Sequence, residues 1–162
     1  MKEKSISIKY KEYNSEVELS EKEAELLIKA NEALKKSYSP YSKFKVGSAL
    51  QMKSGNIYIG SNQENASFPA GICAERSAIY HAKHREEGVI KRIAITVESS
   101  DFDVNSPIAP CGICRQVLLE TELQQEEDIE IILKGSKGKI YTLSSIKDLL
   151  PLYFFEKGLK KE

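Results

Sequence analysis

The spacing of hydrophobic positions changes repeatedly along this chain, and each change marks an element. Ile6, Ile8, Tyr10, Val17 and Leu19 alternate loosely, which predicts one or two strands within residues 5–19. Ser20 with Glu23 three places on is a capping-box pattern. Leu26, Leu27, Ala30 and Leu34 follow at helical spacing, so a helix is expected over residues 21–37, ending before the tyrosine-rich loop SYSPYSKF. FKVGSALQM and NIYIG flank Ser54, Gly55 and Asn56, the signature of a β-hairpin. Beyond the hairpin, helix and strand alternate. ICAERSAIYHAKHREE reads as a helix closing at Gly88, KRIAITVE as a strand and CGICRQVLLETEL as a second helix. DIEIILKG and KIYTL are strands about a GSKG turn, and SSIKDLL is a short last helix stopped by Pro151. This order predicts an α/β fold, a three-layer α/β/α sandwich around a mixed five-stranded sheet.

Length and charge narrow the function. A chain of 162 residues is expected to form one domain, residues 21–160 as its core and residues 1–20 as an extension of unassigned role. Such a chain buries about 70% of the surface it exposes when unfolded, so neither disulfide nor metal is needed merely to hold it together. No apolar run approaches the roughly 20 residues that span a bilayer, and MKEKSISIKY lacks the apolar core of a secretory signal. The expectation is a cytoplasmic protein with no membrane partner. Lys plus Arg equals Asp plus Glu at 24 each, which argues against a nonspecific nucleic-acid footprint. The basic runs Lys83-His84-Arg85 and Lys160-Lys161 are short and read as solvated faces.

Three cysteines cannot all pair within the chain, and in a reducing compartment clustered cysteines are more often metal ligands or redox groups. Cys73 opens one predicted helix and Cys111 the next. Successive helices of a βαβαβ unit begin at the same sheet edge, so these two positions become neighbours in space. Cys111 and Cys114 lie on one helix face, with Cβ atoms about 5–6 Å apart. Helix N-termini favour thiolates, and three thiolates suit one Zn²⁺ per chain with a fourth position left for water. His81 and His84 lie at least about 12 Å along the helix from Cys73, too far to complete the set. Glu75, two residues from Cys73, has the chemistry to take a proton from a water molecule and return it to a leaving group. Alone it would read as a first-turn acid favoured by the helix dipole; beside Cys73 and P-C-x-x-C the catalytic role is favoured. Zn²⁺ with three thiolates carries a net charge of −1, which Arg76 or Arg115 could offset, and Arg76 is preferred.

C-A-E followed by P-C-x-x-C resembles the signature of the zinc nucleobase deaminases in its three-cysteine form. More of the chain is similar to cytidine deaminase of the small homotetrameric class. YSPYSKFKVGSAL, NQENASFPAGICAERSAI, APCGICRQVLLE and LLPLYF resemble four family segments in the right order, over residues 25–160 or so. The resemblance implies zinc on Cys73, Cys111 and Cys114, and Glu75 as the proton shuttle. It implies that the backbone N–H of Ala74 binds the pyrimidine O2, that Phe44 packs on the base, and that Asn62 and Glu64 hold the ribose hydroxyls. Phe154 would reach into the site of a neighbouring subunit of a homotetramer. On residue chemistry alone, Phe44 is equally a core residue and positions 62 and 64 are equally turn residues. Phe68 and Ala109 depart from the family, which commonly has Tyr and Ser there.

The expected reaction is hydrolysis of cytidine and 2′-deoxycytidine to the uridines with release of ammonia, the partner being a small nucleoside. Rival readings are a deaminase of blasticidin S, guanine, dCMP or a tRNA base, a C-x-x-C thiol–disulfide protein, and a structural zinc module.

Overall fold

The computed structural model describes residues 1–159; the basic run Lys160-Lys161, whose first residue is the last position of the expected core, lies outside that range, as does Glu162. Among the described residues three α-helices and six strands make up the fold: β1 (Lys11–Tyr13), α1 (Glu21–Leu34), β2 (Phe44–Met52), β3 (Ile57–Ser61), α2 (Ala74–Arg85), β4 (Ile90–Ser99), α3 (Gly112–Gln125), β5 (Glu130–Lys134) and β6 (Ile140–Leu143). One mixed sheet runs in the order β1-β6-β5-β4-β2-β3. The expected sheet had five strands. The sixth is β1, three residues of the N-terminal extension that pair antiparallel with β6, Lys11 opposite Thr142. It falls within residues 5–19, where one or two strands are expected, and it joins the sheet because β6 offers an open edge.

Alternation along the strands separates the layers. On one face Leu26, Leu27 and Ala30 of α1 bury against Ala49, Ala94, Ile132 and Ile140. On the other, Ala78, Ile79 and Ala82 of α2 and Leu118 and Leu119 of α3 bury against Leu50, Ile93, Ile95, Ile131 and Leu133. Neighbouring residues of each central strand therefore face opposite layers, and β4 is buried without a break from Ile93 to Val97 because its middle is covered on both sides. Each fully buried Leu or Ile contributes roughly 1.5–3 kcal/mol.

The expected helix starts hold, and the ends differ by a few residues. At α1 the Ser20 amide donates to Glu23 Oε2 at 2.7 Å and the Glu23 amide to Ser20 Oγ at 3.4 Å, a reciprocal cap; the helix stops at Leu34, three residues earlier than expected. α2 ends at Arg85, ahead of Gly88. The expected last helix is a 3₁₀ turn, Ile146–Leu149, with Ser145 as its cap, and another 3₁₀ turn follows at Lys157–Leu159.

Only β4 and β5 are adjacent parallel strands, Arg92 facing Glu130. β3 and β4 run in the same direction but are separated by β2, which is antiparallel to both. The crossovers through α2 and α3 still return to one sheet edge, so the two helices start side by side. Two glycines set the distance of the helices from the sheet. A Cβ on Gly47 would stand 2.1 Å from Ala30 O, and one on Gly60 would stand 2.3 Å from Ala78 N and 2.5 Å from Ala74 O. Gly60 thus lets the first turns of α2 lie directly on β3.

Candidate active site

Cys73 is the N-cap residue of α2 and Cys111 that of α3, both with extended backbone. The third cysteine, Cys114, is in the first turn of α3 and fully buried, whereas Cys73 is half-buried and Cys111 exposed. Their sulfurs all lie within 4.8 Å of one another, and Cys73 Sγ stands 3.8 Å from Cys111 Sγ. Two thiolates each about 2.3 Å from a tetrahedral zinc ion are themselves about 3.8 Å apart, so the pair already has the required spacing. His81 lies on the exposed side of α2 with Nδ1 3.4 Å from Ile59 O, away from the sulfurs.

The electrostatics favour a metal. Cys73 is pulled down to about 5, chiefly by its hydrogen bond with Cys114, with burial opposing and the Arg76 guanidinium assisting. Cys114 is pushed up by that same bond with Cys73, then by burial and by the Glu75 charge. The cluster therefore carries one ready thiolate at Cys73, while Cys114 holds its proton until a cation replaces it. Arg76 Nη2 stands 3.8 Å from Cys73 Sγ, and its buried Nε has no partner among the described residues. A cation set against the sulfurs offsets the charge three thiolates leave on Zn²⁺. The soft donor set, its spacing and this arginine all fit zinc. Arg115 does not do this work: its Nε donates to Pro110 O and its Nη1 to Leu149 O, each at 2.7 Å.

Glu75, one residue into α2, is 4% exposed and lines the same cavity as Cys73 and Cys111. Burial holds its carboxyl above the ordinary range, reinforced by the Cys73 charge and opposed by its own backbone amide. The cavity, about 880 Å³, is also lined by Phe44, Asn62, Glu64 and Arg76. Ala74, fully buried at the first helical position, has an N–H without an intrahelical partner.

The substrate-side residues are more engaged than their types suggest. Asn62 Oδ1 accepts from Val46 N at 2.8 Å and Ser37 Oγ at 2.6 Å, while Nδ2 donates to Phe44 O at 2.9 Å. Its amide completes the start of β2, and one N–H is left to offer a ligand. Glu64 accepts from Tyr41 N at 2.9 Å, Ser42 N at 3.2 Å and the Ser42 hydroxyl, and that hydroxyl chiefly holds its carboxyl below the usual value. Three of its roughly four acceptor positions are taken. Phe44 opens β2 and stacks on Phe102 with centroids 6.2 Å apart and planes at 26°. Sequence reasoning missed Phe102, which sits in a loop without periodicity, and Tyr41, which packs edge-on against Phe68 at 5.9 Å. Phe154 is 71% exposed, outside this cavity, with its carbonyl held by Gln116 Nε2 at 3.1 Å.

Residues 20–126 match the model of the cytidine and deoxycytidylate deaminase zinc-binding region. The chain is 40% identical over 128 residues to a cytidine deaminase of Halalkalibacterium halodurans, covering 78% of this chain and 90% of that one. It is 34% identical over 134 residues to a cytidine deaminase of Sporosarcina psychrophila, covering 83% and 92%. The crystal structure of cytidine deaminase from Burkholderia pseudomallei superposes with a TM-score of 0.70 at 38% identity, covering 80% of this chain and 97% of that one.

Proposed function

The chain belongs to the cytidine and deoxycytidylate deaminase family, and from that premise we propose that it hydrolyses cytidine and 2′-deoxycytidine to uridine and 2′-deoxyuridine, releasing ammonia. The observation that carries the proposal is Glu75: a buried carboxylate two residues from Cys73, on the wall of the cavity that the cysteines also reach. Cys73, Cys111 and Cys114 would hold one Zn²⁺, which when bound supplies a Lewis acid that makes water a nucleophile at neutral pH.

The chain's own groups then do the positioning and the proton transfer. Glu75 takes a proton from the attacking water and delivers it to N3 of the base. It then takes the proton left on the oxygen added at C4 and passes it to the amino group as the C4–N bond breaks, so that water and cytidine leave as uridine and ammonia. Its raised proton affinity suits a group that must both take and give. The Ala74 N–H, at a helix N-terminus, binds the pyrimidine O2. Phe44 packs on the base, backed by Phe102. Asn62 donates its remaining N–H to a ribose oxygen, and Glu64 accepts from a ribose hydroxyl through its open lone pair. Arg76 holds the Cys73 thiolate and balances the charge of the sulfurs.

We assign residues 1–162 to one deaminase domain, with residues 21–160 as its core and residues 1–20 as an extension of unassigned role, within which β1 widens the sheet. We also propose a homotetramer in which Phe154 enters the site of a neighbouring subunit. Its exposure supports this, as do exposed Tyr41, Phe68 and Ile113 around a cavity wide for one nucleoside. No helix among the described residues is long and apolar enough to cross a membrane, and cytoplasmic action is part of the proposal.

The test is ammonia release from cytidine, deoxycytidine, CMP, adenosine, guanine and blasticidin S by protein of measured zinc content. Turnover confined to the two unphosphorylated cytidines is the expected result. Turnover of another compound alone would overturn the substrate assignments, and zinc-loaded protein without turnover would overturn the enzyme.

A further inference from the structure

We infer that Arg115 is a positioning residue for the Cys111 side of the metal site, and that it draws its own position from the C-terminal segment. The inference rests on the reading of the three cysteines as zinc ligands. Pro110 is buried and Cys111 exposed, so the chain leaves the core and reaches the site within one peptide unit. Little supports that turn from outside: a Cβ on Gly112 would meet nothing within 4 Å, and Ile113 is 63% exposed. The restraint comes from within. The Arg115 amide donates to Cys111 O at 2.9 Å, and its side chain reaches back to Pro110 O at 2.7 Å. One residue thus holds the carbonyls on both sides of the Cys111 peptide nitrogen and Cα.

The second arm of the guanidinium donates to Leu149 O, also at 2.7 Å. That acceptor is fixed in turn. Glu122, two turns along the same helix and buried, accepts from Ser145 Oγ at 2.5 Å and Ile146 N at 3.1 Å. The 3₁₀ turn Ile146–Leu149 is therefore held at its start by Glu122 and at its end by Arg115. A planar guanidinium spans two carbonyls in fixed directions, which a single ammonium cannot do. The side chain of Gln116, the next residue, grips the segment at Phe154 O rather than the carbonyl of Pro110.

The experiment compares zinc-loaded full-length wild type with Arg115→Met, Arg115→Lys and Gln116→Ala. It measures zinc transfer to a chromophoric chelator, the visible spectrum of the cobalt(II)-substituted protein, and amide exchange over residues 149–154. Arg115→Met should release zinc about tenfold or more faster, shift the cobalt spectrum and lose protection at the segment. Arg115→Lys, which keeps stem and charge but reaches one carbonyl, should fall between the two, so the comparison survives if the methionine variant does not fold. Gln116→Ala should loosen the segment near Phe154 with zinc release unchanged. Wild type that holds zinc while Arg115→Met and Arg115→Lys release it no faster overturns this inference alone, as does equal acceleration by Gln116→Ala. Wild type that binds no zinc overturns the metal reading and this inference with it.

Discussion

Replacing Gly60 by alanine tests whether the close approach of α2 to the sheet sets the geometry of the site. The added methyl would stand 2.3 Å from Ala78 N, 2.5 Å from Ala74 O and 2.9 Å from Ala78 Cα, all backbone atoms that no rotamer change can clear. To restore ordinary contact, α2 must back away by roughly 1 Å, because a packed interior has no slack to absorb the methyl. The helix cannot move without carrying Cys73, Ala74 and Glu75, which lie at its start. Overpacking of this kind costs about 1–3 kcal/mol, and each kcal/mol lowers Tm by about 2–4 °C in a chain of this size. A misplacement of about 1 Å between catalytic groups and a bound substrate costs on the order of a hundredfold in rate. Gly60→Ala should therefore lose far more in kcat than its stability loss explains. The assay is ammonia release at saturating cytidine, with zinc content and Tm measured on the same preparation. A variant of lowered Tm with wild-type kcat would refute the reasoning, since α2 would then have moved without disturbing the chemistry.

Glu75→Gln keeps the shape of the buried side chain and removes its ability to move protons; kcat should fall by about 10²–10⁴-fold with zinc retained, and wild-type turnover would remove Glu75 from the mechanism. Glu122→Leu should leave Ile129 N and Ile146 N without their acceptor, at about 1–3 kcal/mol each, read as a fall in the urea midpoint; an unchanged midpoint would show that those donors find other partners. Glu130 has a carboxyl raised above 4.5 chiefly by burial, with the Arg92 guanidinium opposing. The folded state then binds its proton more readily than the unfolded state, so stability falls as pH rises from 4.5 through the folded value and stays lower above it. The Tm of wild type relative to Glu130→Gln should accordingly rise as pH is lowered from 7 towards 4.5, and a flat difference would contradict the burial argument.

The grouping of the three cysteines with Glu75 was legible in the sequence because its signals are local. Ser20 with Glu23, and cysteines placed ahead of apolar helical runs, mark helix starts through backbone groups within one turn. Once helix and strand alternate, the return of each crossover to the same sheet edge follows from the handedness of the chain. That rule brought Cys73 and Cys111 together across 38 positions, and with them Glu75. The same locality explains the errors at helix ends, where the last turn has weak cues, as at Arg85 ahead of Gly88.

What the tertiary structure alone decided depends on contacts between segments with no shared period. β1 lies where a strand is expected, but its place in the sheet depends on the open edge of β6, a condition absent from Lys11–Tyr13 itself. The resemblance gives Asn62 to the ribose, but most of its side-chain amide is committed to Ser37, Phe44 and Val46. Phe102 meets Phe44 only because the loop after β4 folds back over the start of β2. Arg115 read as a candidate to balance charge on sulfur, yet its two arms end on carbonyls at Pro110 and Leu149, the latter 34 residues away. A side chain's chemistry is written in its type, and the sequence by itself determined which groups could bind zinc and move a proton. Which hydrogen-bonding positions those groups have left to offer is settled when distant backbone carbonyls and amides arrive beside them, because buried polar groups take the nearest partner the fold supplies.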